Sequence, residues 1–283
     1  MPNWDDLHYF VVLAREGTLS AAARALGVDH VTIARRVAAL EAATALKLVD
    51  RRARSYTLTD DGRRIAALAA PMEEAAFAVR RAVQAARPGI SGEIAISAPP
   101  SLANALIAPQ LIYLRRQHPG IVIKLIGEKR SASLSRREAD LALRLSRPAE
   151  PGLFARKIGH FGFSLYGAPG YLKETPPHAF AFIAYDSSMD DTPQQQWLKQ
   201  IAGARAIVLR TSDLENQAAA ARAGVGLAAL PHFLGDGDSR LERHDAGQKQ
   251  VGRDVWLVVH RDLRRAPAVR AVMDFLADCL KPR

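Results

Sequence analysis

Arg35 and Arg36 stand side by side in a segment with the apolar spacing of a helix. Ile33, Val37 and Leu40 recur at i, i+4 and i+7, which predicts a helix over about 29–43 with these three on one side. The other side then carries Asp29, Thr32, Arg35 and Arg36, with His30 near the N-terminal end. A guanidinium is a planar fork of donors that stays charged at any physiological pH. It matches the O6 and N7 of a guanine edge, worth about 1–3 kcal/mol of base discrimination, or it grips a phosphate. The spacing leaves open which arginine does which. It also leaves open an ordinary solvated helix face. Asp29 suits the first turn better than it suits DNA. Its carboxylate accepts free backbone N–H groups there, and phosphates repel it.

A second constellation follows. Arg51, Arg52 and Arg54 precede the alternating run Ser55-Tyr56-Thr57-Leu58-Thr59, which suits a short hairpin. Arginines on such a wing would reach phosphates or the minor groove, and would set affinity and salt dependence rather than sequence preference.

These side chains need a scaffold, and the first 60 residues supply one. Leu7, Phe10, Val11 and Ala14 give one amphipathic helix, ended by Gly17. Thr18 or Ser20 caps the next, Leu19 to Leu26, which buries Leu19, Ala22, Ala23 and Leu26. Gly27 allows the positive φ of a sharp turn. The small Ala23 lets two helices approach closely, so the pattern fits a helix-turn-helix with one polar, basic face left open; a small helical domain with ordinary solvated arginines is the alternative. Ser20 and Arg24 then face the DNA backbone, and His30 and Thr32 become groove neighbours of the arginine pair.

Over residues 60–87, Ile65, Met72, Val79 and Ala86 repeat every seven positions, shadowed by Leu68, Ala75 and Ala82. Such a stripe packs against a copy of itself, or against its own domain. Pro71 predicts a kink or a split in that helix. Arg87-Pro88-Gly89 reads as a linker.

From Gly92 onward strands and helices alternate. Strands are expected at 93–97, 121–126, 140–145, 161–166, 182–185, 207–210, 226–230 and 255–260, with a last helix near 268–280. Alternation over so long a stretch implies parallel sheets covered by helices. Ser101 follows Pro99-Pro100 at a helix start, where N–H groups and a hydroxyl favour an anionic or polar ligand; a plain N-cap fits equally. Thr211 and Ser212 stand in the same relation to another helix. Arg144, at the end of a strand, pairs either with a ligand carboxylate or with an acidic neighbour.

No catalytic constellation emerges. Gly224-Val225-Gly226 lacks the third glycine of a dinucleotide fingerprint, and Phe163-Ser164-Leu165 lacks the glycines of a nucleophile elbow. The eight histidines show no metal-ligand spacing, so no metal or cofactor is expected. The single cysteine, Cys279, excludes an internal disulfide. The N-terminus has no secretory pattern and no 18-residue apolar run occurs, so a cytoplasmic protein off the membrane is expected. The net charge of +10 is spread out. Residues 1–60 hold eight basic and seven acidic side chains, and residues 92–283 hold 26 and 19. Bulk charge therefore does not locate a DNA face.

In order and spacing, Leu7 to Phe10, Gly17 to Val28, Thr32 to Val37, Leu40-Glu41 and Leu58 to Gly62 together resemble the LysR-type transcriptional regulators. Gly92-Glu93-Ile94, Ala139 to Arg144 and Ala223 to Pro231 match more loosely. Asp29-His30 replaces the usual Ser-Gln opening of the third helix, and Ala34 a frequent Ser. The resemblance implies an α+β multidomain chain. Residues 1–61 would be a winged helix-turn-helix, 62–90 a dimerising linker helix, and 91–283 an effector-binding domain of two α/β lobes like type 2 periplasmic binding proteins. Promoter DNA, a second copy or a tetramer, a small-molecule effector and RNA polymerase are the implied partners, and no enzymatic activity is expected. Two other classes compete. A solute-binding or enzymatic α/β domain with a helical appendage would need the constellation that is absent. A nonspecific architectural DNA binder is disfavoured by the near-neutral first 60 residues.

Overall fold

A computed structural model describes residues 3–51, 56–86, 89–127, 139–150, 152–245, 247 and 251–281. The chain divides into two compact units, residues 1–83 and 84–283.

The first unit begins with three helices, α1 (Trp4–Glu16), α2 (Leu19–Leu26) and α3 (His30–Thr44). Gly17 and Gly27, both at positive φ, end the first two. Of the two candidate caps for α2, Thr18 takes the role, accepting from the Ala21 N–H at 3.2 Å. The core is fully buried at Phe10, Ala22, Ile33, Val37, Leu40 and Leu48. A two-stranded ladder follows, β1 (Val49–Asp50) antiparallel to β2 (Thr57–Leu58), and then the long helix α4 (Asp60–Ala86). Gly62, at the start of α4, lies against the chain that leads into β1. A Cβ there would stand 2.1 Å from the Leu48 carbonyl oxygen. Of the kink or split expected at Pro71, the split does not occur: α4 is one helix across that position. A missing N–H costs one bond, and the remaining 26 residues of this 27-residue helix supply continuity. Ile65, Ala66 and Ala69 pack on the core of the unit, and Leu68, Met72, Val79 and Val83 stay exposed.

The second unit contains one nine-stranded sheet. Its elements, in chain order, begin with β3 (Gly92–Ala98), the single helical turn α5 (Pro100–Leu102), α6 (Leu111–Gln117), β4 (Ile121–Gly127) and β5 (Leu141–Arg144). The long strand β6 (Leu153–Gly167) follows, then α7 (Pro169–Glu174), β7 (Phe182–Ala184), α8 (Pro193–Ala202) and β8 (Ile207–Arg210). The remainder is α9 (Leu214–Arg222), β9 (Leu227–Pro231), α10 (His232–Gly235), β10 (Glu242–His244), β11 (Gly252–His260) and α11 (Pro267–Cys279).

The sheet order is β4-β3-β5-β11-β6-β9-β7-β8, with β10 also on β6. The expectation of parallel sheets holds only toward the two ends. There β3 runs parallel to β4 and β5, and β7 parallel to β8 and β9. The middle is antiparallel, because β6 pairs with β11 through Leu153–Gly162 and with β9 through Phe163–Tyr166. Strand β6 thus belongs to both halves of the sheet. Apolar periodicity marks where a strand lies but not the direction of its partner.

Each half has its own core. In the first, Ile94, Ile96, Leu141 and Leu257 of the sheet meet Val269, Val272 and Leu276 of α11. Cys279 is buried in the same cluster. In the second half, the two faces of the sheet are covered separately, by Trp197, Leu198 and Ile201 of α8 and by Ala218 and Ala221 of α9. Among the described residues no helix is long and apolar enough to cross a membrane.

Candidate nucleic-acid interface and effector cavity

Helix α3 presents its polar side as its sequence period requires. Asp29 caps it, accepting from the Thr32 N–H at 2.6 Å. That backbone bond, followed by one from the Thr32 hydroxyl, holds the Asp29 carboxyl below the usual carboxylate range. His30, Val31 and Arg35 are exposed, and Val31 reaches 75%. Arg35 makes no hydrogen bond or ion pair among the described residues, although its charge acts on Asp29. Ser20 and Arg24 on α2 are exposed as well.

Arg36 goes elsewhere. Its Nη1 stands 3.1 Å from Oδ1 of the buried Asp6 on α1, and its guanidinium lies 5.6 Å from the centre of the Tyr9 ring. Its Nε is buried and has no hydrogen-bond partner among the described residues. Consecutive residues on a helix point about 100° apart, so Arg35 faces out while Arg36 turns toward α1. The two arginines therefore do not form one surface.

Arg51, beside the ladder, is partly tied down. Its Nη2 lies 3.0 Å from Oε2 of Glu41, and its guanidinium sits over the Tyr56 ring. Half of it remains free, with the side chain 44% exposed. Arg52 and Arg54 lie outside the described residues. Glu41, on α3, organises this corner although it is buried. Its Oε1 accepts from the N–H groups of Leu48 at 2.9 Å and Val49 at 3.2 Å. In the sequence it stands out only within the Leu40-Glu41 match to the family, and its burial leaves no signal, since a carboxylate near a helix end reads as a surface group.

In the second unit a cavity of about 350 Å³ opens where the two half-sheets meet on β6 and β11. Three of the four expected effector residues line it: Ser101 on α5, Arg144 at the end of β5, and Ser212 before α9. The hydroxyl of Ser101 makes no hydrogen bond among the described residues and caps nothing. Arg144 donates to Ser97 Oγ at 3.1 Å and to the Leu143 carbonyl at 2.9 Å, which fixes it against β3. Thr211 is not in the cavity wall. Its Oγ1 accepts from the Asp213 N–H at 3.2 Å, and Asp213 in turn caps α9.

Sequence reasoning missed the cavity's other polar groups. Gln194, on α8, is 2% exposed, and Oε1 accepts from Arg253 of β11 at 2.8 Å. Tyr185 is buried beside them, which pushes its phenol up to about 12. Arg253 precedes the apolar run of its strand, where a charged residue carries no distinctive pattern.

The family pattern described as the bacterial regulatory helix-turn-helix protein, lysR family, matches residues 4–63. The pattern described as the LysR substrate binding domain matches residues 87–281. The Mau operon transcriptional activator of Paracoccus denitrificans is 28% identical over 279 residues, covering 98% of this chain and 96% of that one. The AhcY transcriptional activator HvrB of Rhodobacter capsulatus is 28% identical over 287 residues, covering 98% and 96%. The full-length structure of the Vibrio cholerae virulence activator AphB superposes with a TM-score of 0.68 at 24% identity, covering 98% of this chain and 99% of that one. Two successive patterns of one family thus occupy most of the sequence, and the chain belongs to the LysR family of transcriptional regulators.

Proposed function

We propose that Arg35 is the principal base-reading side chain of this regulator. The observation that carries the reading is an exposed guanidinium on the recognition helix with no hydrogen bond or ion pair among the described residues, beside an Arg36 that is already paired. His30 and Thr32 flank it in the groove, though the Thr32 hydroxyl is shared with Asp29. Ser20, Arg24 and the free half of Arg51 hold phosphates, and Arg52 and Arg54 extend that role along the wing.

The regulator acts in the cytoplasm as a homodimer or a dimer of dimers. Leu68 at 67%, Met72 at 51%, Val79 at 65% and Val83 at 56% exposure lie at heptad-like intervals on α4, and a second copy would cover them. Paired recognition helices then enter successive major grooves of a partly symmetric site. A small molecule in the cavity contacts Ser101, Arg144 and Ser212. Because β6 runs through both half-sheets, a ligand touching both stabilises one arrangement of the lobes over another. That preference changes the bend of promoter DNA and its use by RNA polymerase. The chain carries no enzymatic step in this reading.

The deciding experiment is a gel shift on DNA upstream of the protein's own gene, with Arg35→Ala and Arg36→Ala compared at matched folded fraction. Arg35→Ala loses specific binding. Undiminished binding by this variant rejects the assigned face.

A further inference from the structure

The cavity holds a guanidinium that pairs with no carboxylate among the described residues. Nη1 of Arg253 donates to Gln194 Oε1 at 2.8 Å and Nη2 to the Leu145 carbonyl at 3.1 Å. Both acceptors are neutral. Among the described residues no acidic side chain pairs with Arg253, and the titratable group that acts on it is the phenol of Tyr185. Burial draws the guanidinium below its ordinary pKa, the direction expected of a cation taken out of water without a counterion. Other arginines of this protein do find carboxylates. Arg36 pairs with Asp6, Arg51 with Glu41, Arg222 with Asp238 and Arg243 with Asp236. A guanidinium has five N–H donors, and two at Arg253 are spent on these neutral oxygens. A desolvated cation left in this state favours any anion that enters beside it.

The rest of the wall sets the size and valence of that anion. Phe161, Phe163, Phe233, Leu102, Leu143 and Met189 give it a largely apolar body. Asp213 and Glu215 also line the cavity and offset the charge of Arg144, the other guanidinium in the wall, so a second negative charge on the ligand finds no further unopposed cation. A volume of about 350 Å³ lies at the small end of ligand sites.

We propose that the effector is a small monocarboxylate with an apolar body, its carboxylate held by Arg253. This rests on the reading of the cavity as the effector site. Arg253 makes the charge-assisted bonds, and Gln194 positions the guanidinium from behind.

The test is calorimetry on the full-length protein with benzoate, phenylacetate and hexanoate, each against its own amide, and with phenyl phosphate. At least one carboxylate binds about tenfold or more tightly than its amide, a difference of about 1.4 kcal/mol. Arg253→Gln, checked for native circular dichroism, removes that preference, and Arg253→Lys retains part of it. The proposal is overturned if every carboxylate binds no better than its amide, if none of the probes binds at millimolar concentration, or if phenyl phosphate exceeds them all. It is equally overturned if Arg253→Gln keeps the preference. Ser101→Trp, which fills the cavity, separates the two readings. Carboxylate binding that survives in this variant rejects the cavity as the site. Carboxylates and amides that bind equally to the native protein, and are both lost in Ser101→Trp, leave the cavity standing and reject the carboxylate.

Discussion

Arg36 of the recognition helix is bound to Asp6 of the first helix, Nη1 to Oδ1, at 3.1 Å. The bond joins the two longest elements of the three-helix core through a carboxylate that is almost fully buried. It divides the labour of two adjacent arginines. Arg35 is exposed and makes no ion pair among the described residues, and Arg36 spends its charge within the unit.

The division has opposite signatures in two variants. Arg36→Ala leaves Asp6 buried without its cation and lowers stability by about 1–2 kcal/mol, the lower part of the range because Arg36 is itself 35% exposed. Arg35→Ala leaves stability within about 0.5 kcal/mol and weakens specific DNA binding by about 1–3 kcal/mol. Urea denaturation followed by circular dichroism gives the first quantity, and gel shifts give the second. A stability loss in the Arg35 variant equal to that of Arg36→Ala contradicts the assignment.

Glu41 carries the corner between α3 and the ladder. Its Oε1 satisfies two buried N–H groups, so Glu41→Ala strands both and costs about 2–4 kcal/mol. Glu41→Gln keeps an acceptor oxygen for Leu48 and Val49 and loses the ionic contacts with Arg51 and, at 3.8 Å, Lys47. Denaturation midpoints should therefore fall in the order native, Gln, Ala. Equal losses in the two variants would show that the charge, not the backbone bonds, is what matters.

Much of the DNA-binding unit is legible in the sequence because its signals are local. Apolar spacing fixed the faces of α1 to α3, Gly27 marked the turn, and Asp29 announced its cap three residues ahead of the N–H it accepts. Long-range pairing left no such trace. Nothing in the run around Arg36 distinguishes it from Arg35; the difference lies 30 positions away, in Asp6. The effector unit divides the same way. Ser101 and Ser212 are legible because helix starts have a sequence pattern. Arg253 and Gln194, 59 residues apart, meet only through the crossing of β11 and α8. Apolar pattern marks β6 only from Phe161 onward, because the half-exposed first eight residues lack the apolar run of a buried strand.

Ala45 closes α3 in the left-handed region, at φ 56°, a conformation in which an alanine Cβ crowds the following carbonyl. Gly17 and Gly27 close the preceding two helices in the same region without that penalty. Ala45→Gly relieves the crowding, against the larger chain entropy glycine has when unfolded, and should raise stability by about 0.5–1 kcal/mol. Gly27→Ala should lower it. The denaturation midpoint reads both signs, and a midpoint that falls in Ala45→Gly would place the residue in an unstrained state.

Asp238 gives the effector unit a defined acid sensitivity. Its carboxyl accepts from the side chain and backbone N–H of Arg240 and from Arg222, and these bonds lower its pKa from 3.8 to about 2. A depressed carboxylate pKa adds stability that is complete above the unfolded value and drains away as pH falls through the folded one. The stabilisation is therefore present at neutral pH and is lost between about pH 4 and pH 2. Asp238→Asn removes the charge in both states, so its stability deficit should be largest above pH 5 and should close across that acid window. Reversible urea denaturation at stepped pH measures the gap directly. A deficit that stays constant down to pH 2 would mean that Asp238 acts by shape and neutral hydrogen bonds, with no contribution from its charge.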